Sequence, residues 1–137
     1  MNTIDPARVK NFMTGQVAAW NRHDKAGFLA LYREMAPEFL DIQYSGRPKQ
    51  DDGWFVIEEM WDKHNHQIAL EVGMTIINGN EAAVQHRNLI VGTDLSIESI
   101  ETYRFEPGRL HVRYFLKPPA SESVDTNQFR GFAATSP

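Results

Sequence analysis

Ser96–Lys117 reads SIESIETYRFEPGRLHVRYFLK, two strand-like runs around the turn Glu106-Pro107-Gly108-Arg109. Alternate residues of a strand share a face. Ile97, Ser99, Glu101, Tyr103 and Phe105 therefore point one way, and Ser96, Glu98, Ile100, Thr102 and Arg104 point the other. On the first face Glu101 sits among apolar neighbours. A carboxyl group on such a face has to be paired, hydrogen-bonded or held protonated, because burying the bare charge is costly. The stretch thus predicts an antiparallel strand pair and marks one acid as a candidate for chemistry.

Working upstream, Gln67–Ile77 and Glu81–Val91 read as two more strands joined at Asn78-Gly79-Asn80, a strong hairpin signal. On the returning strand Ala82, Val84, His86, Asn88 and Ile90 share a face, opposite Ala83, Gln85, Arg87, Leu89 and Val91. Neither set is cleanly apolar. One is expected to line a polar-decorated cavity and the other to meet solvent or a partner. In the last strand Leu110, Val112, Tyr114 and Leu116 oppose His111, Arg113, Phe115 and Lys117, and either set could face inward.

Three helices precede these strands. Asp5 caps the first and Pro6 suits its first position. Val9, Phe12, Met13, Gln16, Val17 and Trp20 then recur at helical spacing. Gln16 is the polar member of that stripe, either a stripe-edge amide bonded to backbone or a donor into a cavity. Asp24 caps a second helix carrying Phe28, Leu31, Tyr32 and Met35 and ending at Ala36-Pro37. Glu38–Ser45 reads as a short strand in which Phe39, Asp41 and Gln43 share one face and Leu40, Ile42 and Tyr44 the other. Asp41 is the second carboxylate to interrupt an apolar strand. Asp51 or Asp52 caps a third helix with Ile57, Met60, Trp61 and His64 on one stripe. His64 and His66, two apart across a helix end and without a matched carboxylate motif, do not make a metal site.

The resulting order, α-α-β-α-β-β-β-β, places three helices before a run of long antiparallel strands and predicts an α+β domain. A helix layer on a curved sheet of four to five strands encloses a conical space suited to a small molecule. Residues 1–117 form this domain, and residues 118–137 read as a C-terminal tail in which Phe129 and Phe132 could dock locally.

Composition narrows the function classes. The chain has 137 residues, 42% apolar and 23% charged, with a net charge of −4 and no basic run, so no nucleic-acid surface is expected. It has no cysteine, which removes thiol catalysis, thiolate metal sites and disulfides and fits a reducing cytoplasm. No apolar run approaches membrane length, and no glycine-rich phosphate loop or HExxH motif is present, so neither a cofactor nor a metal is expected.

Val17-Ala18-Ala19-Trp20-Asn21 with Asp24, then Phe28, Leu31-Tyr32, the strand holding Asp41, and Glu101-Thr102-Tyr103-Arg104-Phe105 with Gly108 give the chain its resemblance. Over residues 6–117 it resembles the nuclear-transport-factor-two-like superfamily, specifically its SnoaL-like and ketosteroid-isomerase-like bacterial members. The resemblance implies a cone-shaped α+β barrel with a hydrophobic pocket, and a homodimer formed through the outer face of the sheet. These motifs mark fold better than function, because the superfamily holds isomerases, cyclases, dehydratases, epoxide hydrolases and non-catalytic modules. In ketosteroid isomerase a strand aspartate is the base, while a tyrosine and a protonated aspartic acid donate to the developing oxyanion. By position Asp41 resembles the base, Glu101 the protonated acid, and Gln16 stands where the tyrosine would be. Steroid isomerisation itself is not expected, since an amide is the weaker oxyanion donor. His86 and Asn88 would also face the cavity, His86 as an alternative acid or base. Tyr32, Trp54, Trp61 and Tyr103 are candidates for its aromatic lining.

Two readings follow. In the first, the chain is a cofactor-independent isomerase, cyclase or lyase acting on a carbonyl-bearing, partly apolar molecule. Asp41 removes an α-proton, and protonated Glu101, assisted by Gln16, stabilises the enolate. In the second, the chain is a non-catalytic binding or dimerisation module whose Glu101 is paired with Arg87, Arg104 or Arg113. An epoxide hydrolase, a third option, would need several polar groups gathered around one water.

Overall fold

A computed structural model describes residues 4–49 and 52–117. The order is α1 (Pro6–Asn21), α2 (Lys25–Met35), β1 (Phe39–Tyr44), α3 (Gly53–His64), β2 (Ile68–Asn78), β3 (Glu81–Ile90), β4 (Ser96–Glu106) and β5 (Arg109–Leu116). The helix starts follow from local chemistry: Asp5, Asp24 and Asp52 each cap a helix by accepting a backbone N–H with the side chain. The proposed docking of Phe129 and Phe132 lies outside the described residues.

The strands form one curved, open, mixed sheet in the order β1-β5-β4-β3-β2. The hairpins β2–β3, β3–β4 and β4–β5 are antiparallel, whereas β1 joins the far edge parallel to β5, with Asp41 opposite His111 and Tyr44 opposite Tyr114. Gly108, at φ 74 in the β4–β5 turn, takes a left-handed conformation that glycine adopts without strain. The three helices cover one face of this sheet, giving a cone-shaped α+β fold. None of the described helices is long and apolar enough to cross a membrane.

Register settles which strand faces look inward. Leu40, Ile42 and Tyr44 of β1, Ala82, Val84, His86, Asn88 and Ile90 of β3, Ile97, Ser99, Tyr103 and Phe105 of β4, and Leu110, Val112 and Tyr114 of β5 are all buried. The set left undecided on the last strand therefore resolves to Leu110, Val112 and Tyr114 inward. Against them pack Val9, Phe12, Met13, Ala19 and Trp20 of α1, with Phe28, Tyr32, Ile57 and Trp61 from the other helices. Aromatic edges dominate the centre: Phe12 meets Tyr32, Tyr103 and Phe105 at centroid distances of 4.9, 5.8 and 5.6 Å.

Candidate functional site

At the heart of the cone the polar interruptions of the sequence meet. Glu101 on β4 and His86 on β3 share the inward face, and His86 Nδ1 lies 3.0 Å from Glu101 Oε2. Both are largely enclosed, with side-chain exposures of 2% for His86 and 12% for Glu101. The other carboxylate oxygen, Oε1, accepts the Tyr103 hydroxyl at 2.6 Å. That hydroxyl accepts Gln16 Nε2 at 2.9 Å, and Gln16 Oε1 accepts the Tyr32 hydroxyl at 2.5 Å. Tyr32, Gln16, Tyr103, Glu101 and His86 thus form one continuous chain of hydrogen bonds from α2 through α1 to the sheet. Asn88, one step further on β3, donates to the Ile97 carbonyl and to Ser99 Oγ at 2.8 and 3.0 Å.

The electrostatics follow from this wiring. Burial alone would push the His86 imidazole down, but the charge and hydrogen bond of Glu101 more than reverse this and hold it above its ordinary value. Burial first, and then the charge of Glu101, raises the phenols of Tyr32 and Tyr103, so both remain neutral donors. His64 behaves differently: buried near the end of α3, with Lys63 and His66 close by, it is pushed down to about 4 and stays neutral at physiological pH. No group of three or more His, Asp or Glu among the described residues could hold a metal ion.

A cavity opens beside this network, lined by Gln16, Tyr32, His86, Asn88 and Glu101 together with Trp20, Phe28, Met60, Leu70 and Tyr114. Its free room is about 20 Å³, enough for a single water. His86 Nε2 is buried and has no hydrogen-bond partner among the described residues, while Nδ1 is occupied by Glu101. An imidazole fixed at one nitrogen by a carboxylate and open at the other is the arrangement of a general base.

Several expectations need correction. Asp41 does not join Glu101. On β1 the inward positions are Leu40, Ile42 and Tyr44, so alternation and the parallel pairing with β5 turn Asp41 to the other face of the sheet. There it meets His111 Nδ1 at 3.3 Å, Gln43 Nε2 at 3.2 Å and Lys49 Nζ at 3.8 Å. The role of Glu101 as a proton-bearing donor is also displaced, since both of its oxygens are engaged, Oε1 as acceptor for Tyr103 and Oε2 at His86. Trp54 lies away from the cavity with the Arg33 guanidinium over its ring at 5.6 Å. Trp61 is plain core, packed on Trp20 and Phe28 at 5.1 and 5.0 Å. Tyr103 contributes its hydroxyl to the network rather than lining the cavity. Among the described residues neither Arg87, Arg104 nor Arg113 pairs with Glu101; the partner of its carboxylate is the His86 imidazole.

Sequence reasoning missed Trp20, Phe28, Met60, Leu70 and Tyr114 as lining residues. Tyr114 was legible in principle, because it sits directly across from Glu101 in the β4–β5 register. Met60 was assigned only to the stripe of α3, and nothing in that stripe separates a core methionine from one at a cavity wall.

No protein-family model matches the sequence, and no protein of curated function matches it. Solved structures do. A protein of unknown function with a cystatin-like fold from Methylobium petroleophilum PM1 is 16% identical, with 98% of this chain and 97% of that one covered at a TM-score of 0.66. A protein of Jannaschia sp. CCS1, provisionally named a SnoaL-like polyketide cyclase, is 11% identical, with both chains fully covered (100% each) at a TM-score of 0.65. A nuclear-transport-factor-two-like protein from Cytophaga hutchinsonii ATCC 33406 is 12% identical, covering 80% of this chain and 89% of that one at 0.57. At these identities the likeness is one of fold: the chain has the nuclear-transport-factor-two-like, SnoaL-like architecture that its motifs resemble.

Proposed function

We propose that this chain is a cofactor-independent acid–base enzyme acting on a small carbonyl compound, with His86 rather than Asp41 as the base. One observation carries the reading: the imidazole is held through Nδ1 by Glu101 while Nε2 is buried at the cavity without a partner. In the reaction Nε2 takes a proton from the carbon next to the carbonyl, and the negative charge of the resulting enolate rests on the carbonyl oxygen. The imidazolium so formed is stabilised by the Glu101 carboxylate and returns the proton to the substrate, at the same or another carbon. Gln16 uses one N–H on Tyr103 and has a second with which to meet the enolate oxygen. The provisional naming of one neighbour as a polyketide cyclase is in keeping with enolate chemistry.

The small cavity favours a second reading, a non-catalytic module in which the polar network organises the core. With room for one water, the cavity admits a substrate only if residues of its wall move.

Exchange of α-hydrogen for deuterium separates the two without knowledge of the product. Small ketones, β-diketones and β-keto esters in D₂O are followed by proton NMR with catalytic amounts of the protein. Enzyme-dependent exchange by the native chain, its loss in His86→Gln and its persistence in Asp41→Asn are expected. The absence of exchange across the set would overturn the proposal in favour of the module, and full exchange by His86→Gln would overturn His86 as the base.

A further inference from the structure

Two buried polar atoms at the cavity have no hydrogen-bond partner among the described residues: His86 Nε2 and the Tyr114 hydroxyl. The proposed reaction uses the first and leaves the second idle. Register sets their placement. His86 on β3 bonds to Glu101 on β4, and Tyr114 on β5 stands directly across from Glu101. The carboxylate is thus flanked by an imidazole on one neighbouring strand and a phenol on the other, all on the inward face. Tyr114 differs from the other tyrosines. Tyr103 gives its proton to Glu101 and Tyr32 gives its own to Gln16, while Tyr44 lines a separate pocket with Ile42, Arg47 and Val56. Tyr32 acts on Tyr114 electrostatically, but no hydrogen bond of ordinary geometry joins their hydroxyls. Burial first, then the nearby Tyr32 phenol and the Glu101 charge, raises the Tyr114 phenol well above its ordinary value, so it stays a neutral donor. Leaving a buried hydroxyl unpaired is costly, and packing alone gives no reason to keep it.

We infer that Tyr114 is a second catalytic residue of this site, whose hydroxyl donates to the substrate's carbonyl oxygen while His86 Nε2 removes the α-proton. The inference rests on the acid–base reading above and deepens it. The electron pair of the broken C–H bond passes into the carbonyl and the proton goes to Nε2. The oxygen gains a negative charge facing the phenol, which keeps its own proton. The imidazolium then returns its proton to carbon, so no other reactant is needed. A fixed donor aimed at developing charge is worth most where water is excluded. Gln16 alone is a lesser donor, an amide with one N–H already on Tyr103. The lining also limits the substrate. Among the described residues the cavity has no lysine or arginine, and it already holds the Glu101 carboxylate. A carboxylate or phosphate on the reacting unit would meet that charge with no cation beyond His86 to offset it. The reacting unit is therefore an uncharged ketone or aldehyde.

The test compares Tyr114→Phe with the native chain. Exchange of the α-hydrogens of 2-butanone in D₂O, followed by proton NMR, should fall about 100-fold or more in kcat, with KM little changed. The urea midpoint of Tyr114→Phe should lie at or above the native one, because the variant removes an unpaired polar group and breaks no bond. The native chain should also exchange 2-butanone at least about tenfold faster, in kcat/KM, than 4-oxopentanoate, which adds a carboxylate to the same ketone. Native-rate exchange by Tyr114→Phe overturns the inference and leaves His86 as the base, whereas no exchange by the native chain overturns the underlying reading as well. A lowered urea midpoint in Tyr114→Phe makes the hydroxyl a structural partner and also overturns the inference. Preference for 4-oxopentanoate overturns the uncharged substrate.

Discussion

Replacing Tyr103 by phenylalanine removes one oxygen from the middle of the buried network and leaves the ring packing intact. The Tyr103 hydroxyl accepts Gln16 Nε2 at 2.9 Å and donates to Glu101 Oε1 at 2.6 Å. Both partners lie in the core, with Gln16 only 5% exposed. Leaving a buried neutral donor unsatisfied costs about 1–3 kcal/mol, and losing a hydrogen bond to a charged group costs about 1.5–3 kcal/mol. Ring volume is conserved, so no cavity penalty adds to these, and a water in the adjacent space recovers part of the loss. The expected destabilisation is about 3 kcal/mol. That is a large share of the roughly 5–15 kcal/mol by which domains of this size are stable. Urea unfolding followed by tryptophan fluorescence measures it, and with a slope near ~2 kcal/mol/M the midpoint falls by about 1.5 M. Tyr32→Phe gives an internal scale: it deletes the hydrogen bond to Gln16 Oε1 without touching Glu101, and should cost less. A double-mutant cycle with Glu101→Gln should show coupling above about 0.5 kcal/mol, as contacting residues do. A Tyr103→Phe cost within about 0.5 kcal/mol of zero, or additive single and double variants, would refute the idea that this hydroxyl holds Glu101 in place.

Two other outcomes follow from the same geometry. The His86 imidazole is raised in the folded protein, so its contribution to stability is complete below its ordinary value of about 6.5 and is lost as pH rises through the higher folded value. In Glu101→Gln only burial remains, which lowers the imidazole, so the sign inverts and stability is lost as pH falls through about 6.5; urea unfolding at a series of pH values, with His86→Gln as background, should show the reversal. At the start of α3, a Cβ on Gly53 would lie 2.2 Å from the Leu40 carbonyl oxygen, so Gly53→Ala must push the helix off β1. It should lower stability by about 3 kcal/mol or more, and a thermal midpoint close to that of the native chain would contradict the close approach.

The sequence allowed the element order to be read almost completely, because its signals are local. Three aspartate caps, a proline stop after α2 and the Asn78-Gly79-Asn80 and Pro107-Gly108 turns divide the chain, and period-two alternation assigns the strand faces. Gln16, His86, Asn88 and Glu101 were recognisable for the same reason: each is polar within an apolar pattern, and each lies at the cavity. The hydrogen-bond directions were not recognisable. Whether Glu101 donates or accepts depends on which groups reach it from α1 and β3, and no spacing along one strand carries that information.

Asp41 shows where family resemblance and residue pattern diverge. The alternation of EFLDIQYS already put Asp41 on the face opposite Leu40, Ile42 and Tyr44, three large apolar residues that had to be the inward set. Its place as a carboxylate interrupting an apolar strand and its positional likeness to an isomerase base both made it a candidate, but the period of two sets it with Phe39 and Gln43, away from the inward set. A strand cannot turn one residue inward without a bulge, and β1 keeps unbroken register with β5 from Phe39 to Tyr44. The base of any reaction in this cone must therefore come from residues whose own alternation points inward. Among the inward side chains that face this cavity, His86 alone combines a ring nitrogen without a partner with a carboxylate to hold it. If the deuterium-exchange experiment finds activity that survives in His86→Gln, the fault lies in that step and not in the fold, because Asp41→Asn run beside it tests the resemblance separately.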